Sequence, residues 1–194
     1  MMVLPVPSLG IALLLTLVAF LGLFSVLLRE KNIPFSLWVA LGTAVSFSFG
    51  WHVHEKAVLM IIFPLLAALL AKKNKTVSPE IFIFASVVAN VVVMPLLHRR
   101  QETMLNWMIL LTGASLQAAL FEIEVTWKNL RWILLAAAPQ FYGDFLHAFL
   151  LKNRLWFLPL ILNSFVCALL LAGVLISLVL RIVKPPAVRK SKRA

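Results

Sequence analysis

Residues 155–183 read LWFLPLILNSFVCALLLAGVLISLVLRIV, a run in which Arg181 is the one charged side chain. A helix needs about 20 mostly apolar residues to cross the hydrocarbon core of a bilayer. In lipid, an isolated segment can pair its backbone N–H and C=O groups with one another only as a helix. The run therefore predicts a membrane-spanning α-helix.

The composition extends this prediction to the whole chain. Of the 194 residues, 62% are hydrophobic and 13% are charged, with a mean hydropathy of +1.01, whereas soluble domains are about 25% charged. The net charge of +11 does not indicate a nucleic-acid-binding protein, because Lys and Arg lie between apolar runs and in the C-terminal tail, as topology signals do. The single cysteine, Cys167, excludes an intrachain disulfide and a cysteine-rich metal site. We expect an all-α, polytopic membrane protein.

Six further apolar segments have about the length of a span. The third segment contains Pro64 and the sixth contains several polar residues. An arrangement with six spans is therefore the alternative to the arrangement with seven. We expect residues 1–183 to form a transmembrane helical domain and residues 184–194, KPPAVRKSKRA, to form a basic tail, because the Pro-Pro pair stops the last helix. The seven predicted helices cover residues 8–28, 33–51, 57–71, 80–97, 104–121, 131–151 and 155–183.

The distribution of Lys and Arg predicts the orientation. In the seven-helix arrangement, 13 of the 18 Lys and Arg residues lie on one side, which is therefore cytosolic. This places the C-terminus in the cytosol and the N-terminus on the luminal or outer side. The sequon at Asn74 then lies in a cytosolic loop, and we expect it to remain unglycosylated.

The last five residues, KSKRA, match the K-x-K-x-x form of a cytosolic retrieval signal of the endoplasmic reticulum, through Lys190 and Lys192. The alternative is that the basic tail only attracts anionic lipid headgroups. A retrieval coat is a predicted partner in the first interpretation and not in the second.

A polar turn separates the second and third predicted helices on the luminal side and contains His52, His54, Glu55 and Lys56. Three interpretations are open. In the first, the turn is an interfacial loop that is solvated beside Trp51. In the second, His-x-His-Glu binds a metal ion, although this motif lacks the i, i+4 spacing of a zincin. In the third, the turn binds an anion. In the third case, the free amides of the next helix and the charge of Lys56 would suit a lipid-linked phosphate.

Of the seven acidic residues, Asp144 alone falls within a predicted span rather than in the polar turn or at a predicted helix end, and an ionisable group in that place is a functional candidate by default. At helical spacing, Gln140 and His147 share its face and form one polar stripe in the luminal half of the sixth helix. The stripe either makes hydrogen bonds between helices or lines a cavity for a sugar or a lipid phosphate. Asn90 and Asn163 are predicted packing contacts.

The stretch FGWHVHEKAVLMIIFPL, residues 49–65, resembles the signature of the endoplasmic-reticulum glucosyltransferases of asparagine-linked glycosylation, with Val53-His54-Glu55-Lys56 as its core. The Trp51-His52 pair is more similar to the members that add the second α-1,3-linked glucose than to those that add the first. The resemblance implies a polytopic GT-C-type transferase. Such an enzyme moves glucose from dolichyl-phosphate glucose to a dolichyl-pyrophosphate-linked oligosaccharide at the luminal face, without a cofactor or a metal ion.

Family members are longer and carry an acidic catalytic loop near their N-terminus, and no stretch of this chain matches that loop. The resemblance is therefore to the C-terminal part of such an enzyme, and the catalytic residue is not identified. We expect either a fragment of a transferase or a shortened relative. The competing function is a non-catalytic membrane subunit or a small transporter.

Overall fold

The structure is a computed structural model that describes residues 9–28, 33–49, 58–71, 76–97, 102–124, 126–151, 155 and 157–183. These residues are helical apart from short turns, so the predicted all-α class is confirmed. The predicted basic tail, residues 184–194, lies outside the described residues. In chain order the elements are α1 (Leu9–Leu27), α2 (Phe35–Phe49), α3 (Leu59–Leu70), α4 (Pro79–Leu97), α5 (Thr103–Leu120), α6 (Trp127–Phe141), a π-helical turn (Tyr142–Leu146), α7 (His147–Leu151) and α8 (Leu158–Val183).

Most predicted helix ends differ from the structure by two residues or fewer, and two differ by more. The sixth segment begins at Trp127 rather than 131, because Thr126 is extended and its hydroxyl oxygen accepts the N–H of Asn129 at 3.4 Å, which caps the helix. The last helix begins at Leu158 rather than 155, since Leu155 has a φ of 54°, outside the right-handed helical region.

The sixth segment is also less regular than predicted. Its α6, π-helical turn and α7 follow one another without a break, so they form one helical segment with a wider turn in its middle. The turn follows Pro139, which lies inside α6 and lacks an N–H. Within the turn, the N–H of His147 reaches back five residues to the carbonyl of Tyr142. A π-helical turn of this kind is often found at a functional site.

Helix α4 forms the centre of the described bundle. It packs against α3, α5, α6 and α8, while α2 packs against α1, α3 and α8. Because neighbours surround α4, its apolar side chains are buried on all sides, as expected for a core helix. The fully buried members include Ala85, Val87, Val88, Ala89 and Val91.

The prolines fall into two groups. Pro34, Pro79 and Pro159 stand at the beginning of helices, where the missing N–H would have no helical acceptor. Pro64, Pro95 and Pro139 lie within helices, and each leaves the carbonyl four residues earlier without its usual donor. Two of these carbonyls receive a side-chain donor from another helix: Thr43 Oγ1 lies 3.3 Å from the Met60 oxygen, and Asn163 Nδ2 lies 3.0 Å from the Val91 oxygen.

Contacts between side chains show that successive helical segments alternate in direction. The second half of α2 lies beside the beginning of α3, and the second half of α4 lies beside the beginning of α8. Gly143 also lies so close to the beginning of α8 that a Cβ atom added to it would stand 2.9 Å from Pro159 Cβ. We call the end of the bundle that holds these contacts the upper end. It contains the helix termini Phe49, Leu59, Leu97, Thr103, Leu151 and Leu158.

Three of the described helices are long and apolar enough to cross a membrane, and they contain residues 10–27, 103–120 and 158–183. Shorter apolar helices cover residues 35–48, 59–70 and 79–94. Many large apolar side chains of α1 and α5 are exposed, as they are on helices that face lipid. The chain is therefore a helical protein suited to a membrane, whereas the number of spans stays a prediction.

Replacing Asn163 by Leu should destabilise the protein by about 1 kcal/mol, because the buried Val91 carbonyl would lose its donor. Thermal unfolding of the detergent-solubilised chain measures the effect. The neighbouring exposed Ser164 provides the control, and Ser164→Ala should unfold like the wild type. Equal midpoints for Asn163→Leu and Ser164→Ala would contradict the role given to Asn163.

Candidate functional site

The polar turn predicted as a phosphate site lies outside the described residues. His52, His54, Glu55 and Lys56 all belong to residues 50–57. The structure describes the elements on both sides of the turn, and it places the end of α2 and the beginning of α3 together at the upper end. These residues therefore connect two adjacent helices of a hairpin, as the sequence predicted.

The beginning of α3 has no side-chain cap, because the side chain of Val58, which precedes it, is apolar. The backbone of Val58 is already in the right-handed helical region, with φ −58° and ψ −30°. No acidic side chain lies in the first turn of α3 either. The positive end of the helix dipole favours an anion near the beginning of α3.

The second group of predicted site residues is fully described, and its centre is the carboxylate of Asp144 on the π-helical turn. Asp144 Oδ1 accepts a hydrogen bond from Gln140 Nε2 at 2.9 Å. Asp144 Oδ2 accepts one from the indole Nε1 of Trp107 at 2.8 Å. Because Trp107 lies near the beginning of α5, the carboxylate joins α5 to the sixth segment at the upper end.

His147 does not extend this stripe, which corrects the prediction of one continuous polar face through 140, 144 and 147. The π-helical turn holds more residues per turn than an α-helix, so His147 is rotated away and pairs with Tyr142 instead. The Tyr142 hydroxyl lies 3.2 Å from His147 Nδ1, and the rings meet edge to face. His147 is 7% exposed, and its buried Nε2 has no hydrogen-bond partner in the described part of the protein.

Sequence reasoning missed Trp107 and Tyr142. Trp107 also packs against the rings of Phe141 and Phe145, with centroids 6.1 Å and 6.3 Å away. The signal available in the sequence was the position of Trp107 near a helix beginning on the same side as Asp144. An indole N–H in an apolar setting needs an acceptor, and Asp144 is the acidic residue predicted at that depth.

This geometry favours an anchoring role for Asp144. Both carboxylate oxygens accept from protein donors, so the group orients Trp107 and Gln140 and is poorly placed to act as a free base on a substrate. Among the described residues, no three His, Cys, Asp or Glu side chains could together hold a metal ion. The His-x-His-Glu group is not among those residues, so the metal interpretation of the turn stays open.

Asn90 and Asn163 act in different ways. Asn163 makes the predicted contact between helices through the Val91 carbonyl, and its Oδ1 lies 3.6 Å from the Cys167 Sγ donor. Asn90 instead donates to the Ser86 carbonyl of its own helix at 2.9 Å. The amide that joins α4 to α5 belongs to Gln117, whose Nε2 donates to Ser86 Oγ at 3.0 Å.

Comparison with known proteins gives a consistent family assignment. The profile of the ALG6, ALG8 glycosyltransferase family matches residues 1–178. A Caenorhabditis elegans relative named dolichyl pyrophosphate Glc1Man9GlcNAc2 alpha-1,3-glucosyltransferase is 28% identical over 184 residues, which cover 90% of this chain and 23% of the relative. A Bos taurus relative of the same name is 30% identical over 156 residues, or 76% of this chain and 29% of the relative.

The chain thus spans about a quarter of the length of these relatives. No solved structure matches it. The resemblance carried by residues 49–65 is confirmed at the level of the family.

The hydrogen bond between Trp107 and Asp144 should have a measurable coupling free energy. In a double-mutant cycle with Trp107→Phe and Asp144→Leu, we expect a coupling of about 1–2 kcal/mol, because the bond joins two helices in an apolar setting. Thermal unfolding of the four proteins of the cycle in detergent gives this value. Trp127→Phe, at an exposed tryptophan of α6, is the control and should show no coupling with Asp144→Leu. Additive effects of Trp107→Phe and Asp144→Leu would contradict the assignment.

Proposed function

The chain belongs to the ALG6, ALG8 glycosyltransferase family, and on that premise we propose that it corresponds to the C-terminal part of an α-1,3-glucosyltransferase of asparagine-linked glycosylation. The enzyme would transfer glucose from dolichyl-phosphate glucose to a dolichyl-pyrophosphate-linked oligosaccharide that already carries one glucose. The observation that carries this proposal is the family match over nearly the whole chain. The names of the similar relatives support the acceptor, and no cofactor is needed.

In this proposal, the polar turn binds the phosphate of the donor lipid. Transfer of glucose builds negative charge on the departing dolichyl phosphate, and fixed donors at that oxygen stabilise the transition state. Lys56 supplies a permanent positive charge, His54 donates a hydrogen bond, and Glu55 and His52 orient the pair. The beginning of α3 supports the assignment, because no side chain caps it and its positive dipole end follows the turn in the sequence.

Gln140, Asp144 and His147 form a second part of the proposed site, as the wall of the sugar or lipid-phosphate cavity. Their position supports this role, since the π-helical turn and the beginning of α3 both lie at the upper end of the bundle. Asp144 shapes the wall by holding Trp107 and Gln140. The buried His147 Nε2 has no hydrogen-bond partner among the described residues and would be the atom that binds a substrate group.

The decisive experiment replaces the matching segment of the Caenorhabditis elegans relative by this chain. Either the chimera or the chain alone is expressed in cells that lack their own enzyme for the second glucose, and microsomes are prepared from these cells. Glucose transfer from dolichyl-phosphate glucose to the lipid-linked oligosaccharide is measured and normalised to folded protein. Transfer by the chimera supports the proposal. A folded, inserted chimera without transfer would favour the competing function, a non-catalytic membrane subunit or a small transporter.

In the chimera, His54→Ala and Lys56→Ala should each lower glucose transfer by about ten- to a thousandfold, because each removes a donor to the leaving phosphate. Expression and membrane insertion should stay unchanged. His98→Ala and Lys128→Ala are matched controls outside the turn and should transfer at the wild-type rate. Wild-type rates for both turn variants would instead favour a plain interfacial loop.

We also propose that the protein is a multi-pass protein of the endoplasmic-reticulum membrane with seven spans, a luminal upper end and a cytosolic tail. Single cysteines at positions 54 and 192, placed in a Cys167→Ala background, test this orientation with an impermeant thiol reagent. Position 54 should label only after the luminal side is opened, and position 192 should label from the cytosol. The retrieval function of Lys190 and Lys192 requires the same result, so luminal labelling at 192 would contradict both proposals.

A further inference from the structure

Asn90 is a polar residue at the surface of the core helix α4. Of residues 81–94, all of which the structure describes, Asn90 alone is exposed. It lies about 16 Å from the beginning of α4 and about 10 Å from its end, at a rise of 1.5 Å per residue. When α4 spans a membrane, this depth is inside the hydrocarbon core, which is about 30 Å thick. The exposed amide then faces a medium that makes no hydrogen bonds.

The hydrogen bonds around Asn90 leave two acceptor oxygens without a donor. Asn90 Nδ2 donates to the Ser86 carbonyl at 2.9 Å, and Gln117 Nε2 of α5 donates to Ser86 Oγ at 3.0 Å. Within the described part of the chain, the buried Gln117 Oε1 has no partner and no residue donates to Asn90 Oδ1. An amide oxygen without a donor is costly in an apolar medium. The pair of amides therefore favours a partner that donates hydrogen bonds.

Helix α5 offers an open space at the depth of Asn90. The two helices run in opposite directions, and the Ser86–Gln117 contact fixes which residues lie at the same depth. Four residues from Ser86 toward the upper end is Asn90, and four residues from Gln117 toward the same end is Gly113. A Cβ atom added to Gly113 would meet no atom within 4 Å. Small residues let membrane helices approach closely, so this face is suited to contact with another helix.

The apolar surroundings indicate that the partner is itself a membrane helix. Ile109 and Leu116, which stand about one turn on either side of Gly113, are 59% and 58% exposed. Lipid could cover these two side chains, but it could not donate to the two amide oxygens. The chain spans about a quarter of the length of its relatives, so most of such a protein lies outside this bundle and can supply the helix.

We propose that the face of α4 and α5 around Asn90 and Gly113, here called the Asn90 face, docks a membrane helix from the part of a full-length transferase that this chain does not include. The docked helix passes close to Gly113 and donates a hydroxyl or amide hydrogen bond to Asn90 Oδ1. This inference rests on the proposed function, because it takes the chain as the C-terminal part of a longer transferase. Lipid and a second copy of this chain are the competing occupants.

The first test uses photo-cross-linking in the chimera with the Caenorhabditis elegans relative, with a protease site at each junction. A photoreactive phenylalanine replaces Leu116. After irradiation and cleavage, the segment from this chain should stay joined to the segment from the relative on a denaturing gel. Asn90→Leu should lower the yield of this product by about three- to tenfold, the range expected for one hydrogen bond between membrane helices. Gly113→Leu should lower it at least as much, because the new side chain fills the space of the docked helix.

Matched controls come from α8. A Cβ atom added to Gly173 also meets no atom within 4 Å, and Ile176, three residues later, is 60% exposed. Gly173→Leu should leave the yield from position 116 unchanged, and Asn90→Leu should not change the yield from a photoreactive residue at position 176. A product from position 116 that contains only a second copy, or no protein product, would overturn the proposal. A yield from position 116 that neither Asn90→Leu nor Gly113→Leu lowers would also overturn it.

The second test compares thermal unfolding of the chain alone with that of the chimera, both in detergent. In the chain alone, Asn90→Leu should not lower the unfolding midpoint, because the amide donates within its own helix. In the chimera it should lower the midpoint, because the docked helix loses its acceptor. An equal change in both proteins would overturn the proposal. Neither test measures glucose transfer, so a chimera that passes both but transfers no glucose contradicts the proposed function and not the docking surface.

Discussion

Every backbone carbonyl inside an apolar bundle needs a donor, and this constraint determines how the helices are joined. Three prolines within helices each remove one donor. At Pro64 and Pro95 the compensation comes from a neighbouring helix, through Thr43 and Asn163. Pro139 is followed instead by a π-helical turn in its own segment. The prolines thus mark the positions where polar contacts replace the helical pattern, and all three positions lie in the half of the bundle toward the upper end.

The helix that follows the polar turn in the sequence and the segment that carries Asp144 both pack on α4. The α2–α3 hairpin packs on α4 through α3, while α5, α6 and α8 surround the rest of α4. Helix α3 and the segment with the Asp144 cluster therefore share one core helix. This helix contributes no predicted site residue, yet a change in its packing would affect both α3 and the Asp144 segment.

How much of this arrangement the sequence could predict depends on the range of the interaction. The seven apolar segments were predictable because hydropathy is local, and the family resemblance was predictable because residues 49–65 form one continuous motif. The Trp107–Asp144 bond joins residues 37 positions apart, so no local pattern reveals it. The pairing of His147 with Tyr142 was missed for another reason, since a regular period of 3.6 residues was assumed across a turn that is wider.

The bond between Asn163 and Val91 has a consequence for the synthesis of the protein. The two residues are 72 positions apart, and at a ribosomal rate of about 5–20 residues per second, α8 emerges several seconds after α4. During that interval the Val91 carbonyl lacks its donor from Asn163. Until α8 is synthesised, the face of α4 that α8 covers is therefore open to lipid or to other helices.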